Sequence, residues 1–164
     1  MRAVIQRVSE SNVTIDGKLF SSIQKGLMIL LGVEVNDSKE DAEWLCRKIV
    51  NMRIFADENN LMNLSIKDVD GEVLIISQFT LHADASKGNR PSYIRAARPE
   101  TAISLYEYFI ETMKAETNSK VLTGSFGADM KVSLINDGPV TIILDSKAPS
   151  VPMAIRTGGA MPLS

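Results

Sequence analysis

The segment Gly26-Leu27-Met28-Ile29-Leu30-Leu31-Gly32-Val33 decides the fold of this 164-residue chain. It is apolar at consecutive positions, so a strand built from it is covered on both faces, and we expect it at the centre of a sheet. Two strands are predicted before it, Arg2 to Val8 and Asn12 to Ile15, joined by a short polar turn. The turn signal Asp16-Gly17 follows them, so the chain opens with consecutive strands.

Two amphipathic helices are predicted after the central strand. Ser38 caps the first, Asp41 occupies its third helical position, and apolar residues recur at spacings of three and four along one face. The second has Pro99 in its first turn and runs from about Glu100 to Ala115 with the same spacing. The apolar faces consist of Ala42, Leu45, Ile49 and Met52 in the first helix and Ala102, Leu105, Phe109 and Met113 in the second.

The remaining apolar runs complete the prediction of a single α/β domain. A turn at Asp57-Glu58-Asn59-Asn60 precedes a strand from Glu72 to Phe79, and strands at Lys131 to Ile135 and Pro139 to Leu144 follow the second helix, the last interpreted as buried. Because strands occur in runs rather than alternating with helices, mixed or antiparallel β-sheets are favoured over a doubly wound parallel sheet. The loop Gly124-Ser125-Phe126-Gly127 lacks the lysine of a phosphate-binding loop and the spacing of a dinucleotide fingerprint, so we interpret it as a plain turn.

Composition limits the number of domains and the classes of partner. With 45% hydrophobic residues, the chain is predicted to form one domain over residues 1–146, followed by an irregular tail over residues 147–164. A net charge of −2 argues against general coating of nucleic acid, so any RNA contact is expected to be local. No stretch approaches the roughly 20 apolar residues of a membrane span, and no signal-peptide core is visible, so a cytoplasmic location without membrane contact is predicted.

The single cysteine and the single histidine restrict the possible chemistry. Cys46 lies in the apolar pattern of the first helix, so we interpret it as a buried structural thiol rather than a nucleophile. A nucleophilic hydrolase would need His82 as the base for Ser77, Thr80 or another hydroxyl, and nothing in the spacing indicates that arrangement. We interpret Thr80 as an ordinary strand residue rather than a nucleophile. One histidine cannot supply the three protein ligands of a catalytic zinc, so no metal is predicted.

Two polar motifs interrupt the apolar strands. The segment Asn136-Asp137-Gly138-Pro139-Val140-Thr141 contains a Gly-Pro pair that forms either a tight turn or a loop presenting bare backbone to a ligand. The segment Ser77-Gln78-Phe79-Thr80-Leu81 ends the apolar run Val73-Leu74-Ile75-Ile76 with three hydrogen-bonding side chains. Polar groups crowded at a strand end must be paired or exposed to a ligand, so both motifs are candidates for a binding site.

Together these motifs resemble those of the D-aminoacyl-tRNA deacylases, which hydrolyse the ester that joins a D-amino acid to the end of tRNA. The resemblance extends from residue 1 to about Asp145, and it departs from the family pattern at His82 and Tyr93, where Tyr and Phe are expected. Its segments are Met1-Arg2-Ala3-Val4-Ile5-Gln6-Arg7-Val8, Ser77-Gln78-Phe79-Thr80-Leu81, Lys87-Gly88-Asn89-Arg90-Pro91-Ser92, Thr123-Gly124-Ser125-Phe126-Gly127-Ala128-Asp129-Met130 and Asn136-Asp137-Gly138-Pro139-Val140-Thr141.

The resemblance implies an activity and its catalytic residues. It implies a barrel-like homodimer that hydrolyses D-aminoacyl-tRNA and mischarged glycyl-tRNA at carboxylic ester bonds, with no metal or organic cofactor. Ser77, Gln78, Phe79 and Thr80 are implied at the catalytic centre. The N–H groups of Phe79 and Thr80 are the candidate oxyanion donors, while Ser77 and Gln78 shape a pocket for the terminal adenosine. The 2′-hydroxyl of that adenosine is implied to assist attack on the ester.

The resemblance also implies how the amino acid's chirality is recognised. The Gly138–Pro139 peptide bond is expected to be cis, with carbonyls that project into the partner subunit's active site and exclude an L side chain while admitting glycine or a D side chain. Arg7 is expected to support this loop through its fork of donors, and the alternative is an exposed arginine on an edge strand. The substrate-binding residues implied in this way are Asn136, Gly138, Pro139, Arg7 and Met130.

A basic cluster is the candidate contact with the body of tRNA. Its members Lys87, Arg90, Arg95 and Arg98 are followed by no acid until Glu100. Lys87 and Arg90 are the predicted tRNA-binding residues, and a solvated loop is the alternative interpretation. Two other functions remain open at this point, a non-enzymatic nucleic-acid-binding protein on the same scaffold and a nucleophilic esterase of small molecules.

Overall fold

The computed structural model describes residues 1–148. Residues 149–164, which make up most of the tail predicted from residue 147 onward, lie outside the described residues. In chain order the elements are β1 Arg2–Ile15, β2 Lys18–Ile23, β3 Gly26–Gly32, α1 Lys39–Asn51, β4 Phe55–Ala56, β5 Met62–Leu64, β6 Glu72–Ser77, a short 3-10 turn Phe79–His82, α2 Pro99–Glu116, β7 Val121–Thr123 and β8 Lys131–Asp145.

Strand β3 lies at the centre of the main sheet, as its two-faced apolar pattern predicts. The strand order is β2-β1-β3-β6-β7, and β8 also pairs along β1. β3 runs antiparallel to β1 and parallel to β6, so the sheet is mixed. All residues of β3 are buried except the half-buried Leu30. The predicted fold class is therefore confirmed: one α/β domain with a mixed sheet and two main helices.

Strand β1 is continuous where a turn between two strands was predicted. Val8 pairs with Asn136 and Glu10 pairs with Ile135, so the extra residue Ser9 forms a bulge between these pairs. A bulge bends a strand and increases its twist without reversing it. The prediction of a turn was wrong because the polar residues at this point lie on an exposed bend of one long strand.

Strand β8 is also continuous, and it is less buried than predicted. It runs from Lys131 to Asp145 through the Gly-Pro pair. Residues 139–144, which we interpreted as buried, alternate between exposed and half-buried. Successive side chains of a strand point to opposite faces, and within residues 1–148 only one face of β8 is covered. The apolar composition of this segment therefore indicates contact on one face rather than a position in the core.

The curled sheet packs against two apolar clusters. The larger cluster lies between the sheet and both helices and includes Ile5, Ile29, Leu45 and Phe109. The second lies on the other face of the sheet, and its buried members are Val8, Val13, Ile23, Met28, Leu74 and Ile76. Neighbouring residues of β3 thus point into different clusters, which explains its uninterrupted apolar sequence. The sheet that curls around the second cluster is nearly barrel-shaped.

Both helices form where the sequence predicts them. The N–H group of Ser38 donates a hydrogen bond to the Asp41 carboxylate at 2.8 Å, as expected for the predicted cap of α1. Next to this cap, the Met1 ammonium group lies 2.6 Å from Asp37 Oδ1, and both groups are fully buried. This ion pair joins the beginning of β1 to the beginning of α1. Pro99 is the first residue of α2, a position where a missing N–H group costs nothing.

The sequence-based prediction missed the short strands. β2, β4, β5 and β7 have two to six residues each, and they are mostly exposed or half-buried. Such segments carry too little apolar periodicity to be distinguished from loops. Strand β6 ends at Ser77 rather than Phe79, because the chain turns at Gln78. In the described part of the chain, no helix is both long enough and apolar enough to cross a membrane.

Gly26 provides a test of the central β3–β6 pairing. A Cβ atom at this position would lie 1.8 Å from the carbonyl oxygen of Glu72, so Gly26→Ala must displace the backbone of β6. We expect Gly26→Ala to lower the free energy of unfolding by about 3 kcal/mol or more, a value typical of severe overpacking. Urea unfolding at fixed protein concentration measures it.

Gly17→Ala is the matched control for this substitution. Gly17 has φ +74° and no atom within 4 Å of an added Cβ, so the change introduces only backbone strain. We expect a loss of about 1 kcal/mol, the cost of a left-handed conformation for alanine. Equal losses for the two variants would show that the contact between Gly26 and Glu72 does not govern the pairing of β3 with β6.

Candidate functional site

A cleft of about 320 Å³ lies where β6 ends and the loop after β7 passes in front of it. The polar motif that ends β6 forms one wall, and the loop that precedes β8 forms the other. The residues lining it are Ile76, Ser77, Gln78, Phe79, Phe126, Gly127, Ala128, Asp129, Met130 and Val132. The cleft thus brings together three of the predicted catalytic residues and one predicted substrate-binding residue, Met130.

Within residues 1–148, two adjacent peptide N–H groups have no hydrogen-bond partner where β6 ends. The N–H group of Gln78 donates the last ladder hydrogen bond, to the carbonyl oxygen of Leu31 at 2.8 Å. The chain then enters the 3-10 turn, in which the N–H group of Leu81 bonds to the carbonyl of Gln78 at 3.2 Å. Among residues 1–148, no oxygen accepts a hydrogen bond from the N–H group of Phe79 or Thr80. Such neighbouring donors can bind an oxygen that carries negative charge.

The side chains of this turn do not form a nucleophilic dyad. Gln78 Nε2 donates a hydrogen bond to Thr80 Oγ1, so the hydroxyl of Thr80 is engaged by an amide. His82 is fully buried, and its Nε2 lies 3.0 Å from the carbonyl oxygen of Gly32. In the part of the chain that the structure describes, neither Thr80 nor Ser77 has a histidine as hydrogen-bond partner. The arrangement therefore lacks the activated hydroxyl that covalent catalysis requires.

His82 instead supports the turn from behind. A carbonyl oxygen accepts but never donates, so His82 Nε2 carries the proton and donates it to Gly32. Nδ1 is also buried, and within residues 1–148 it has no hydrogen-bond partner. A Cβ atom at Gly32 would lie 3.0 Å from the carbonyl oxygen of Gln78 and 3.1 Å from the His82 ring. The turn is thus packed closely against β3, which fixes the positions of its N–H groups.

The apolar wall of the cleft was only partly predicted. Gly124 permits the close approach of Met130, since an added Cβ atom would lie 2.4 Å from the Met130 sulfur. The Phe126 ring packs on Tyr106, with ring centroids 5.8 Å apart, and the Tyr106 hydroxyl donates to the carbonyl of Ile75 at 2.9 Å. Residues 124–127 include a turn, as interpreted from the sequence, and Phe126 and Gly127 of this turn also line the cleft. The signal for this role is the family resemblance over Thr123 to Met130 rather than the glycine spacing.

The Gly-Pro pair lies in a second place, a loop that leaves the β1–β8 ladder. Gln6 pairs with Thr141 and Val8 with Asn136, so residues 137–140 stand opposite Arg7 alone. The Gly138–Pro139 peptide bond is cis, and Gly138 has φ +131°, which only glycine adopts readily. The loop is part of strand β8 rather than the tight turn before it.

Asn136 closes the base of this loop. Its Oδ1 atom accepts a hydrogen bond from the N–H group of Val140 at 2.9 Å. Its Nδ2 atom donates to the hydroxyl of Thr141 at 2.9 Å. The side chain thereby replaces ladder bonds that the loop interrupts, as asparagine often does in turns. In one chain, Asn136 therefore holds the loop, and its predicted contact with substrate remains a prediction.

Arg7 holds the loop from the opposite strand. Its Nε atom donates to the carbonyl of Asp137 at 2.9 Å, and its Nη1 atom donates to the carbonyl of Ile54 at 2.6 Å. The side chain is only 15% exposed, and β1 is paired on both sides. The alternative of an exposed arginine on an edge strand is therefore wrong. An added Cβ atom at Gly138 would lie 2.8 Å from Arg7 Nη2, so the guanidinium packs directly against the Gly-Pro pair.

Within one chain, the cleft and the Gly-Pro loop are far apart. β8 begins beside the cleft at Lys131 and reaches the loop after Asn136. Five residues of extended strand span about 17 Å at roughly 3.3 Å per residue. None of the residues 136–139 lines the cleft. The structure thus divides the predicted site residues into two groups that do not meet in a single chain.

The predicted basic cluster is smaller than the sequence indicates. Lys87 and Arg90 are exposed in a loop that is closed by two hydrogen bonds of 2.8 Å between Asp84 and Ser92. Arg95 forms an ion pair with Glu34, with its Nε atom 2.8 Å from Glu34 Oε1. Its charge is therefore compensated, which a count of cations along the sequence could not reveal.

Cys46 is a structural residue, as interpreted from the sequence. It is fully buried in α1, and its sulfur lies 3.6 Å from the carbonyl oxygen of Phe109. Burial raises the pKa of its thiol to about 12, so the reactive thiolate is suppressed at neutral pH. Residues 1–148 contain no group of three or more His, Cys, Asp or Glu side chains arranged to bind a metal ion.

Comparisons with known proteins agree on one family. The family model described as D-Tyr-tRNA(Tyr) deacylase matches residues 4–145. A protein of Flavobacterium psychrophilum named D-aminoacyl-tRNA deacylase is 61% identical over 147 residues, which cover 90% of this chain and 98% of the relative. A protein of Bacteroides fragilis with the same name is 62% identical over 147 residues, which again cover 90% of this chain and 98% of the relative.

Solved structures with the same fold carry two different descriptions. One, described as c-Myc DNA Unwinding Element Binding Protein, has a TM-score of 0.85 at 39% identity and covers 88% of this chain and 98% of its own. Another, described as a probable eukaryotic D-amino acid tRNA deacylase, has a TM-score of 0.74, and the match covers 87% of this chain and 97% of the other. Its identity is 15%, so this likeness shows the fold alone.

The support that His82 gives to the 3-10 turn leads to a prediction about local stability. His82→Leu removes the donor to the carbonyl of Gly32, whereas His82→Gln keeps an N–H donor of similar reach. We expect the amide hydrogens of Leu81 and Ala83 to exchange about tenfold faster in His82→Leu, since one lost buried hydrogen bond costs about 1–3 kcal/mol. His82→Gln should remain close to the unmodified chain. Equal acceleration in both variants would mean that ring packing, rather than the hydrogen bond, holds the turn.

Proposed function

The chain belongs to the D-Tyr-tRNA(Tyr) deacylase family, and from this premise we propose how its residues hydrolyse D-aminoacyl-tRNA. As the names of its relatives indicate, it is a hydrolase that removes D-amino acids from tRNA and so contributes to translation proofreading. The proposal has three parts: an oxyanion site at the end of β6, a pocket for the terminal adenosine, and a chirality filter at the Gly-Pro loop.

The observation that carries the proposal is the pair of unpaired N–H groups of Phe79 and Thr80 at the edge of the cleft. Ester hydrolysis passes through a tetrahedral intermediate whose oxygen becomes negatively charged. Donors that are already fixed in position stabilise this charge without reorganisation, and one such donor contributes about 2.7–4 kcal/mol. The close packing of the turn against Gly32 and His82 supports such preorganisation.

The cleft beside these donors is proposed to bind the terminal adenosine of tRNA. Phe126 and Met130 offer an apolar surface suited to a flat base, while Ser77 and Gln78 offer hydrogen-bonding groups on the facing wall. Binding sites of this kind combine mostly apolar walls with a few convergent polar groups. With the base held there, the ester is directed towards Phe79 and Thr80.

The attacking group is proposed to be water assisted by the 2′-hydroxyl of that adenosine. Thr80 Oγ1 accepts a hydrogen bond from Gln78, and the histidine ring is bonded to Gly32 instead of a hydroxyl. The chain then contributes mainly by holding the ester, the water and the oxyanion donors in the productive geometry. Positioning of this kind is a large catalytic term, because it avoids the entropic cost of bringing reactants together.

The chirality filter is proposed to act between two copies of the chain. The Gly-Pro loop is exposed, rigidly held by Arg7 and Asn136, and distant from the cleft of its own chain. A homodimer in which this loop enters the partner's cleft would bring the two groups of residues together. Rigid backbone near the α-carbon would collide with an L side chain and leave space for hydrogen or a D side chain. Glycyl-tRNA is therefore proposed as a second substrate.

Lys87 and Arg90 are proposed to contact phosphates of the tRNA acceptor stem. Both are exposed on the loop that follows the 3-10 turn, and residues 1–148 provide no acid paired with either side chain. Contacts with phosphates orient a nucleic acid without reading its sequence. Such contacts would allow the chain to act on many tRNA species despite its negative net charge.

The chirality filter predicts the effect of removing Arg7. We expect the purified chain to cleave D-aminoacyl-tRNA and glycyl-tRNA but not the matched L-aminoacyl-tRNA. Arg7→Met removes the hydrogen bond to the Asp137 carbonyl in the loop and the one that anchors the guanidinium to Ile54, so the ratio of D to L hydrolysis should fall by about tenfold or more. Deacylation of the three substrates under single-turnover conditions measures this ratio.

Arg53→Met is the matched control, because Arg53 donates to Asn63 in the β4–β5 hairpin and makes no bond to the Gly-Pro loop. It should retain the selectivity of the unmodified chain. Unchanged selectivity in Arg7→Met would contradict the filter. Absence of cleavage of all three esters would instead favour a nucleic-acid-binding protein on the same scaffold.

The substrate-assisted mechanism makes a separate prediction about Thr80. Thr80→Ala should retain most of kcat, since its hydroxyl is not the nucleophile. A D-aminoacyl-tRNA ending in 2′-deoxyadenosine should react about 100-fold or more slowly, the lower range of general acid–base assistance. The opposite pattern would support the nucleophilic esterase instead. In that pattern Thr80→Ala loses nearly all activity, and the deoxy substrate is hydrolysed at the normal rate.

A further inference from the structure

Two aromatic side chains are exposed next to the cleft. Phe79 is 56% exposed and Tyr93 is 42% exposed, although both are large hydrophobic residues. Their ring centroids lie 5.1 Å apart at an interplanar angle of 73°, an edge-to-face contact. Phe79 also lines the cleft. The pair therefore extends the surface of the cleft outwards to the loop that carries the exposed cations.

The backbone around Tyr93 is held in place from both sides. The N–H group of Val35 donates to the carbonyl of Arg95 at 2.9 Å, and the N–H group of Ala97 donates to Val33 at 3.0 Å. Before Tyr93, two hydrogen bonds of 2.8 Å join Ser92 to Asp84. The aromatic ring is therefore presented by fixed backbone, so a ligand that stacks on it avoids much of the entropic cost of ordering a loop.

The charges around the pair indicate what kind of ligand it fits. Lys87 and Arg90 lie on the loop that ends at Tyr93, and both are exposed. Exposed aromatic rings beside cations are the surface that binds single-stranded nucleic acid, because bases stack on the rings while the backbone phosphates meet the cations. A second copy of this chain carries a net charge of −2 but would bring no phosphate to meet these cations.

We propose that Phe79 and Tyr93 form a stacking platform for an unpaired base of the tRNA 3′ end, immediately before the terminal adenosine. This inference rests on the proposed function, because it places the terminal adenosine in the cleft that Phe79 lines. The preceding nucleotide must then leave the cleft past Phe79, where the aromatic pair lies. Its phosphate continues towards Lys87 and Arg90. The platform thus contacts a nucleotide that is present in tRNA but absent from a minimal substrate such as D-aminoacyl-adenosine.

The test compares a full and a minimal substrate. Tyr93→Ala should lower kcat/KM for D-aminoacyl-tRNA by about fivefold or more, the effect of losing one stacked base, and change kcat/KM for D-aminoacyl-adenosine by less than about twofold. Tyr93→Phe keeps a ring and should behave like the unmodified chain. Ile94→Ala is the matched control, because Ile94 is 84% exposed next to Tyr93 but has no ring. It should change neither value.

Salt dependence separates stacking from phosphate contacts. Tyr93→Ala should weaken binding of tRNA with an unchanged slope of log affinity against log salt concentration, whereas Lys87→Ala combined with Arg90→Ala should flatten that slope. Equal losses of Tyr93→Ala on both substrates would overturn the platform and leave Tyr93 as a support of the cleft. A change in oligomeric state of Tyr93→Ala, measured by sedimentation, would also overturn it and identify a contact between copies of the chain.

The failure of the proposed function is a distinct outcome. In that case the unmodified chain cleaves neither D-aminoacyl-tRNA nor D-aminoacyl-adenosine. The proposed function and the platform would then both be overturned. If the unmodified chain cleaves both substrates and Tyr93→Ala cleaves both at normal rates, only the platform fails.

Discussion

The hydrogen bonds from Arg7 to the carbonyl groups of Asp137 and Ile54 are the interaction on which the arrangement of the site depends. The loop of residues 137–140 leaves the β1–β8 ladder, and Arg7 occupies the gap it creates. A guanidinium group offers several donors in one rigid plane, so it can bond to the loop and to the segment before β4 at the same time. Arg7 therefore holds the loop from the opposite strand, and β8 continues on both sides of the loop.

Both candidate sites consist of backbone groups that a sheet has released. At the end of β6 these are the N–H groups of Phe79 and Thr80, and in β8 they are the backbone groups of Gly138 and Pro139, which lie outside the β1–β8 ladder. Backbone groups that are fixed by neighbouring packing need no side-chain rearrangement when a ligand binds, and this favours catalysis by positioning. The lining of the cleft agrees with this, since Asp129 is its one titratable side chain and the chain's histidine is buried and bonded to Gly32.

The sequence predicted those elements whose signals are local. β3 follows from its unbroken apolar run, α1 from the pairing of Ser38 with Asp41, and α2 from Pro99. The bulge at Ser9 and the short strands could not be predicted, because bending and pairing depend on partners that are distant in sequence. For the site, the polar run after β6 was visible, but the engagement of Arg95 by Glu34 required the fold. The functional roles came from the resemblance, since no spacing in the sequence distinguishes a binding loop from a turn.

The geometry of β8 gives a physical reason for the proposed division of the site between two chains. A strand cannot fold back within its own ladder, so the cleft beside Lys131 and the loop after Asn136 stay apart by the length of strand that joins them. A symmetric pair of chains with antiparallel contact would place each loop near the other's cleft, since a two-fold axis brings a surface patch against its own copy. Two exposed apolar residues of β8 flank the loop: Ile135, 53% exposed, lies between the cleft and the loop, and Ile143, 67% exposed, lies beyond the loop. Association through this face would therefore bury apolar surface and complete the site in the same step.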